Sequence, residues 1–580
     1  RQRDAAAGAQ PGGTRQSDAA AGAQPQGSGV PAAALNSQLD EAWLFAPALD
    51  AWLEGVKPRA IPALYPVDEA AADALYAFLS GGAYEDVFVA ARGIDAARLA
   101  RFTALPHVRG LMDFSDMEVW SRESLLDMLR VTNASGAKIA ILPANLASRE
   151  NVRFLQARLL TVWADAGRGR ADLIGALAAG VNGIVTNDYE AAYGAIGFFR
   201  DDAPSMVRVP FIAAHRGMPS VYPENTLMGA QAAYDAGADV IENDIWLSAD
   251  GELFILHDPT LRRLFGRGDL GEAERLTLAE LQAVPFSFRG LEGVPYTNHT
   301  PANRSRYGAI REDASQRIPA LREYYEAFQD TGIVHFVEIK SHDPAIVPAL
   351  KALAEATGEA GQTVVISFNT DILEAMRREW PEVSLGALGT EGAGAAENRT
   401  FFEDYAAIAR AQGAEEALRR LYGVLQPWNA TYNPRFTFAY DLARAGRHRG
   451  LTVWPWTYNE PDAFAQAWLG GVYGLTTNFA WWMSGNATEL RAEDAGGSGT
   501  LRLAVGEALP QPILLSQDGT QLDPAGAEAV VLEGEAVRDG QAAAPGEGVV
   551  IWRIRQSLTL NETVYGDYWL YSEPVRVKVE

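Results

Sequence analysis

The chain has 580 residues, of which 48% are hydrophobic and 21% are charged, a composition typical of globular proteins with buried cores. Its 49 Lys and Arg against 74 Asp and Glu give a net charge of −25, which argues against a nucleic acid as the main partner because phosphate backbones are bound by basic surfaces. The absence of cysteine excludes disulfides, thiolate metal sites and cysteine nucleophiles. No apolar run reaches the roughly 18 residues of a transmembrane helix, so no transmembrane segment is predicted.

The N-terminal region is rich in Ala, Gly, Gln and Pro, and residues 1–12 recur almost unchanged as residues 15–26. Such a composition buries too little apolar surface to offset the entropy of folding, so residues 1–36 are predicted to form a disordered tether. Because the sequence opens with Arg1 rather than Met, we interpret it as a secreted or cell-surface protein, exported by a bacterial-type route, whose signal peptide has been removed. A cropped cytosolic protein is the alternative.

Most of the remaining chain alternates apolar runs of strand length with amphipathic stretches of 10–15 residues. VFVAAR, which ends at Arg92, and AKIAILPA, which begins at Ala137, are two of these runs. Strand–helix alternation every 25–30 residues predicts βα units and a parallel sheet. After a Gly-rich linker, short strands separated by turns predict a small β-sandwich over residues 497–580.

One repeat relates the two halves of this α/β region. LTVW at 160–163 is followed by GVNGIVTN at 180–187, and LTVW at 451–454 is followed by GVYGLTTN at 471–478. A single offset of 291 residues aligns both pairs. The predicted fold class is therefore α/β with tandem TIM-type (βα)8 barrels, the first incomplete and degenerate over residues 40–205 and the second complete over residues 208–488.

Polar residues follow the predicted strands of the second barrel, at the end where barrel active sites lie. His215 ends its first strand, and His257 ends a later one. Glu242 and Asp244 are two residues apart on one strand, so their carboxylates point to the same face. Two neighbouring buried carboxylates are costly unless a cation neutralises them, and oxygen ligands suit Mg²⁺ or Ca²⁺.

A further strand repeats the two-residue spacing with Glu338 and Lys340. Glu338 is predicted to be the third metal ligand and Lys340 a phosphate-binding cation. Two histidines suit acid–base chemistry, three carboxylates suit a metal, and Lys340 with Arg216 suits a phosphate.

The motifs HRG, PENT, ExD, HD and ExK occur in this order within residues 210–485 and resemble the glycerophosphodiester phosphodiesterase family. The resemblance implies a phosphoric diester hydrolase of lipid metabolism that releases glycerol 3-phosphate and an alcohol through a cyclic phosphate, with one bound divalent cation. The implied site consists of the acid–base pair His215 and His257, the metal ligands Glu242, Asp244 and Glu338, and the substrate-binding residues Arg216, Lys340 and Trp456. The family's usual Asp after the last strand is Asn478 here.

Two alternative functions stay open. One is a hydrolase of glycerol-phosphate polymers such as teichoic acid, or of lysophospholipids, at the cell surface. The other is a non-catalytic surface-binding protein. The first barrel contains one histidine, His107, and none of the motifs above, so it is predicted to be non-catalytic.

Tryptophans near the strand ends of the second barrel suggest a preference for a choline-bearing substrate, because an indole face attracts a quaternary ammonium. Trp454 and Trp456 share one face of a predicted strand, and Trp428→Ala is expected to raise KM for glycerophosphocholine more than for glycerophosphoglycerol. The remaining candidates, Trp481 and Trp482, follow the last strand.

Overall fold

The computed structural model describes residues 61–82, 86–92, 95–117, 121–285, 316–389, 405–435, 440–492 and 499–580. The predicted tether, residues 1–36, lies outside these ranges. Within them, no helix has the length and apolar character needed to cross a membrane.

The first sheet has six parallel strands, paired with one another in sequence order. The strands are β1 (Ala63–Leu64), β2 (Val87–Ala91), β3 (Val108–Asp113), β4 (Ile139–Pro143), β5 (Thr161–Asp165) and β6 (Gly183–Val185). The helices after them are α1 (Glu69–Ser80), α2 (Ala96–Thr103), α3 (Arg122–Ala134), α4 (Arg149–Ala157), α5 (Arg170–Ala178) and α6 (Tyr189–Ile196). Strands β2 and β4 are buried throughout, because helices cover one face and the curled sheet covers the other, which is why they are continuous apolar runs.

The first sheet is strongly curled. The rings of Phe88 on β2 and Trp163 on β5 have centroids 6.0 Å apart. Strands three positions apart in a flat sheet would be separated by about 14 Å. The contact therefore requires the sheet to bend around an apolar interior.

The second sheet is a closed ring of eight parallel segments in sequence order. Its strands are β7 (Phe211–Ala214), β8 (Val240–Leu247), β10 (Val334–Ile339), β11 (Thr363–Ser367), β12 (Ser384–Gly389), β13 (Ala430–Pro434), the bridged segment 453–456 and β14 (Gly474–Thr477). A short strand, β9 (Leu253–Ile255), pairs antiparallel with β8. The prediction of an α/β fold with a TIM-type barrel is confirmed for this part of the chain.

Helices connect the strands of this barrel. They are α7 (Leu227–Asp235), α8 (Arg262–Phe265), α9 (Leu278–Gln282), α10 (Leu321–Phe328), α11 (Ile346–Thr357), α12 (Thr370–Glu379), α13 (Tyr405–Gln412), α14 (Ala414–Leu425), α15 (Tyr440–Arg447) and α16 (Pro461–Leu469). The segment between β9 and β10 includes α8 and α9, and it accounts for the long stretch between His257 and Glu338.

The 291-residue repeat corresponds to one packing arrangement that occurs in both sheets. A Cβ atom added to Gly474 on β14 would lie 2.4 Å from Cε2 of Trp454, and one added to Gly183 on β6 would lie 2.8 Å from Cδ1 of Trp163. In each sheet an indole fills the space that a side chain on the next strand would occupy. The repeated tryptophan and glycine are therefore required together by packing.

The two sheets contact each other through the N-terminal ends of their strands. Leu159, which precedes β5, is fully buried and belongs to the same apolar cluster as Phe211, Phe336 and Trp454 inside the second barrel. The hydroxyl of Tyr473, which precedes β14, donates a hydrogen bond to the Leu160 carbonyl at 2.7 Å. The first sheet thus closes the floor of the second barrel.

The residue 291 positions after Leu159, Gly450, makes the reciprocal contact with the first sheet. Gly450 precedes the segment 453–456, and a Cβ atom there would lie 2.5 Å from Cγ1 of Ile139 in the first sheet. The Thr161 hydroxyl donates a hydrogen bond to the Gly450 carbonyl at 3.0 Å. Both Leu159 (φ 63°) and Gly450 (φ 80°) have left-handed backbone conformations, so equivalent turns of the two units meet at this interface.

The C-terminal residues form three further sheets. Their strands are β15 (Ala487–Arg491), β16 (Thr500–Leu503), β17 (Ile513–Ser516), β18 (Gln521–Leu522), β19 (Glu528–Glu533), β20 (Val537–Arg538), β21 (Gln541–Ala542), β22 (Gly546–Leu560), β23 (Thr563–Tyr571) and β24 (Val575–Val579). The predicted strand-rich region is present, and its arrangement as a two-sheet sandwich stays a prediction. Tyr568 packs on Trp468 of the second barrel at 4.9 Å, and Ile551 and Tyr571 belong to the apolar cluster of the first sheet, so this region contacts both units.

We expect Leu159→Ala to lower the free energy of unfolding by about 2–5 kcal/mol, because it removes a fully buried side chain from the barrel floor. Urea denaturation of the full chain measures this change. The control is Ile196→Ala, whose side chain is 56% exposed and which should change stability by less than about 0.5 kcal/mol. Equal losses in the two variants would contradict the role assigned to Leu159.

A buried histidine should make stability depend on pH. His335 on β10 packs edge-on against Tyr325, with ring centroids 5.1 Å apart, and neither ring nitrogen has a hydrogen-bond partner. Burial lowers the pKa of His335 from 6.5 to about 3. Between these two values the unfolded chain binds a proton that the folded chain does not, so stability falls as the pH falls through this window.

We therefore expect the stability of His335→Phe relative to the wild type to increase as the pH is lowered from 7 to 5, by up to about 1.4 kcal/mol per pH unit. Thermal and urea denaturation at several pH values measure the difference. The exposed His448 provides the matched control, and His448→Phe should show no such trend. A pH-independent difference for His335→Phe would show that His335 is not buried in its neutral form.

Candidate active site

A cavity of about 180 Å³ opens at the C-terminal ends of the second barrel's strands. Seven of the eight predicted site residues line it, namely His215, Arg216, Glu242, His257, Glu338, Lys340 and Trp456. The eighth, Asp244, belongs to the same acidic cluster as Glu242 and Glu338. The structure thus brings together all of the residues that the sequence motifs predicted.

Three carboxylates meet where β8 and β10 lie side by side. Glu242 and Asp244 are on β8, and Glu338 on β10 is directly opposite Asp244. One carboxylate oxygen from each residue lies within 4.8 Å of the other two. Burial raises the pKa of Glu242 well above its usual value, and the neighbouring Asp244 and Glu338 raise it further.

This acidic cluster fits a divalent cation. Oε1 of Glu242 is buried and accepts no hydrogen bond, although a buried carboxylate oxygen normally requires a partner. All three residues offer oxygen atoms, which are the ligands that Mg²⁺ and Ca²⁺ prefer. A cation bound between them would satisfy the orphaned oxygen and offset the repulsion among the carboxylates.

Two cations of the chain partly neutralise the cluster. The Lys340 ammonium lies 2.5 Å from Oε1 of Glu338 and 3.2 Å from Oδ1 of Asp244. The guanidinium of Arg216 lies 3.3 Å from Oδ2 of Asp244. Burial alone would raise the pKa of Asp244, but Lys340 and Arg216 outweigh it and hold that pKa well below its usual value. The neutralisation is incomplete, since three carboxylates face two cations.

The HRG and PENT motifs form one structural unit. Arg216 and Asn225 both have left-handed backbones, with φ of 55° each, and the Asn225 amide N–H donates to the Arg216 carbonyl at 2.9 Å. A Cβ atom on Gly217 would lie 2.8 Å from the backbone of Gly229 in α7, so this position requires glycine. The Asn225 side-chain amide then reaches Asp244 at 2.8 Å. The turn therefore places Arg216 over the acidic cluster.

The two histidines have chemically different partners. Nδ1 of His215 lies 2.6 Å from the side-chain oxygen of Asn478, and Nδ1 of His257 lies 2.7 Å from a carboxylate oxygen of Asp258. Burial, together with the positive charge of Arg216, lowers the pKa of His215 to about 3, so His215 is neutral at neutral pH. An amide oxygen accepts only, so Nδ1 of His215 carries the hydrogen and Nε2 has the free lone pair.

One wall of the cavity is apolar. The ring of Trp456 is perpendicular to that of Phe368, with centroids 5.6 Å apart, and its Nε1–H donates to the Asn433 carbonyl at 2.9 Å. Phe336 extends this wall. Trp456 therefore lies where the prediction placed it, with its ring fixed by a hydrogen bond.

Trp428 does not line the cavity, so the predicted place of this ring at the mouth of the barrel is wrong. Trp428 lies in a short turn that precedes β13, at the opposite end of the strand from the cavity, and it packs against the barrel core. Trp454 shares a strand face with Trp456 but is fully buried in the barrel interior, stacked on Phe211 at 5.6 Å. The two-residue spacing correctly placed Trp454 and Trp456 on the same face of the strand. It could not show how deeply each ring lies in the barrel.

The other two tryptophans are also structural. Trp482 stacks on Phe479 with ring centroids 4.4 Å apart, and it is buried. Trp481 donates a hydrogen bond from Nε1 to the Ser220 hydroxyl at 3.1 Å. Neither ring lines the cavity.

The corresponding end of the first sheet carries different chemistry. Its ion pairs join Arg92 to Asp116 at 2.7 Å and to Asp113 at 3.7 Å. His107 precedes β3, at the opposite end of the strands, where it hydrogen-bonds the Leu79 carbonyl at 3.0 Å. In the part of the chain that the structure describes, the one acidic or histidine cluster able to hold a metal is the one in the second barrel.

Sequence reasoning missed two residues of this site. Arg263 on α8 joins Glu224 to Asp258 through ion pairs. Asn433, at the end of β13, lines the cavity. Arg263 comes five residues after Asp258. This closeness to the His257-Asp258 pair at the end of a strand is the sequence feature that could have indicated its place in the site.

Residues 215–480 match the Glycerophosphoryl diester phosphodiesterase family. A glycerophosphodiester phosphodiesterase of Caldanaerobacter subterraneus subsp. tengcongensis is 27% identical over 271 residues, which are 46% of this chain and 93% of that protein. One from Bacillus altitudinis is 30% identical over 181 residues, which are 30% of this chain and 65% of that protein.

Among solved structures, an Oleispira antarctica phosphodiesterase in complex with the product sn-glycerol-3-phosphate is 20% identical, with a TM-score of 0.34, and the match covers 47% of this chain and 94% of that one. The family match and the five motifs fall on the same barrel. Residues 215–480 are therefore an enzyme domain of the glycerophosphoryl diester phosphodiesterase family.

Proposed function

We propose that this protein hydrolyses glycerophosphodiesters to glycerol 3-phosphate and an alcohol, with a divalent cation and two histidines. The observation that carries the proposal is the cavity in which the carboxylates of Glu242 and Glu338 face the histidines His215 and His257. A cation site next to two proton carriers with different partners suits the cleavage of a phosphodiester, whose anionic oxygens repel nucleophiles.

The cation-binding residues are Glu242, Asp244 and Glu338. A bound Mg²⁺ or Ca²⁺ would supply positive charge to the phosphoryl oxygens. Arg216 and Lys340 line the same cavity and would bind the phosphate, where their charges also stabilise the additional negative charge of the transition state. Trp456 and Phe368 would contact the carbon skeleton of the glycerol.

The proposal gives the two histidines different roles, which their different hydrogen-bond partners support. Nε2 of neutral His215 accepts the proton of the attacking glycerol hydroxyl as the new P–O bond forms. His257, whose Nδ1 lies 2.7 Å from a carboxylate oxygen of Asp258, donates a proton to the leaving alcohol oxygen as the old P–O bond breaks. Water then opens the cyclic phosphate with the two roles reversed, which returns both histidines to their starting states.

The first unit, for which the sequence predicts the limits 40–205, is proposed to be a degenerate, non-catalytic copy of the barrel. The 291-residue offset matches β5 and β6 to segment 453–456 and β14, the last two segments of the second barrel. Its six strands then correspond to segments three to eight. Strands β7 and β8, which carry or precede His215, Glu242 and Asp244, have no counterpart among the described residues of the first unit.

Other parts of the proposal rest on the sequence alone. The domain limits 208–488 and 497–580, the secreted or cell-surface location and a choline-bearing substrate stay predictions. A glycerol-phosphate polymer or a lysophospholipid is the alternative substrate class. A non-catalytic surface-binding protein is the alternative of another class, and it predicts no turnover with any added metal.

We expect EDTA to abolish release of glycerol 3-phosphate from glycerophosphocholine and glycerophosphoglycerol, and Mg²⁺ or Ca²⁺ to restore it. Glu242→Gln should lower kcat by about 100-fold or more and weaken metal binding, because it removes one of three anionic ligands. Coupled assay of glycerol 3-phosphate and calorimetric titration with each metal measure the two effects.

Glu252→Gln is the matched control, since Glu252 is an exposed carboxylate in the turn between β8 and β9. It should leave both turnover and metal affinity unchanged. Metal affinity in Glu242→Gln equal to that of the wild type would contradict the assigned cation site.

A second prediction tests whether the first unit lacks catalytic activity. The double variant His215→Ala/His257→Ala should lose all metal-dependent diesterase activity, because the described residues of the first unit hold no acidic or histidine cluster able to bind a metal. His107→Ala, which removes the first unit's histidine, should keep it. Thermal stabilisation of the double variant by the metal checks that the acidic cluster is still folded, and residual metal-dependent turnover would reveal a second site.

A further inference from the structure

Arg263 on α8 occupies a position between two carboxylates that belong to different motifs. Its Nη1 and Nη2 donate to Oε2 and Oε1 of Glu224 at 3.0 and 2.6 Å. Its Nε and Nη2 donate to Oδ2 and Oδ1 of Asp258 at 2.6 and 3.1 Å. One guanidinium thus forms two bidentate ion pairs at once.

Each of these carboxylates also contacts a residue of the proposed reaction. Oδ1 of Asp258 lies 2.7 Å from Nδ1 of His257. Oε1 of Glu224 accepts a hydrogen bond from Nη1 of Arg216 at 3.1 Å. The chain of contacts therefore runs from the proposed proton donor, through Arg263, to the proposed phosphate-binding arginine.

We propose that Arg263 is a positioning residue that holds His257 and Arg216 in fixed relative orientation. It acts through Asp258, which contacts His257, and through Glu224, which contacts Arg216. This inference rests on the function proposed above, since that function gives His257 and Arg216 their roles.

Charge and burial explain why an arginine is needed. The side chain of Glu224 is fully buried and pairs with both Arg216 and Arg263, so removing Arg263 takes away one of the positive charges beside it. Arg216 would then be drawn between Glu224 and Asp244, which lies 3.3 Å from its Nε. The planar guanidinium offers five donors in a fixed geometry, whereas a lysine ammonium is a point charge that cannot make two bidentate pairs.

The test compares Arg263→Ala and Arg263→Lys with Arg262→Ala. Arg262 is the preceding residue of the same helix, and it is exposed and of the same charge. We expect both Arg263 variants to lower kcat for glycerophosphocholine by about 10- to 100-fold, the usual effect of removing a partner that orients an active-site group. KM should rise as well, because Arg216 loses its position on the phosphate. Arg262→Ala should match the wild type.

Chemical rescue separates positioning from a general structural role. Millimolar guanidinium should restore part of the kcat of Arg263→Ala and leave the wild type and Arg262→Ala unchanged. Unchanged kcat and KM in Arg263→Ala would overturn the proposal. So would a kcat that Arg263→Lys retains in full, because one ammonium cannot reproduce the double bridge.

A spectroscopic readout distinguishes failure of this inference from failure of the proposed function. Long-range ¹H–¹⁵N spectra of the imidazoles, with His257 assigned from the His257→Ala spectrum, report the tautomer of its ring. Arg263→Ala should shift the His257 signals and leave those of His335 unchanged, whether or not the chain cleaves glycerophosphodiesters. An unshifted His257 in Arg263→Ala would contradict the inference even if the wild type is active.

Discussion

The burial of three carboxylates at one point of a barrel is the constraint to which the surrounding structure responds. Glu242, Asp244 and Glu338 repel one another in a region from which water is largely excluded, where like charges interact strongly. Positive charge comes to this point from Arg216, which lies in a left-handed turn, and from Lys340. The PENT loop adds a hydrogen-bond donor, the side-chain amide of Asn225. The local backbone strain is compensated because these contacts stabilise charges that would otherwise be unpaired.

Much of this site was predictable from the sequence because strand geometry is simple. A two-residue spacing places Glu242 with Asp244, and Glu338 with Lys340, on common faces, and parallel strands place their C-terminal ends together. The packing of an indole against the next strand, as in Trp454 and Gly474, also explains why the repeat was visible in the sequence. Short-range periodicity and the position of a residue relative to the end of its strand are therefore reliable guides.

Features that depend on depth or on distant contacts were not predictable. The prediction for Trp428 used only its nearness to a strand. Trp428 comes just before β13, at the N-terminal end of that strand, whereas the cavity opens at the C-terminal ends. The double bridge of Arg263 joins residues 39 and 5 positions away in the sequence. The meeting of the two units at Leu159 and Gly450 depends on tertiary packing, which leaves no periodic pattern in either segment.

The floor-to-floor contact has a consequence for any long substrate. Because the N-terminal ends of both sheets face each other, the C-terminal ends of the two units open toward opposite sides of the molecule. A chain gripped at the far end of the first unit would have to pass around the outside of both units to enter the catalytic cavity. The first unit is therefore not positioned to pass a polymer directly into that cavity.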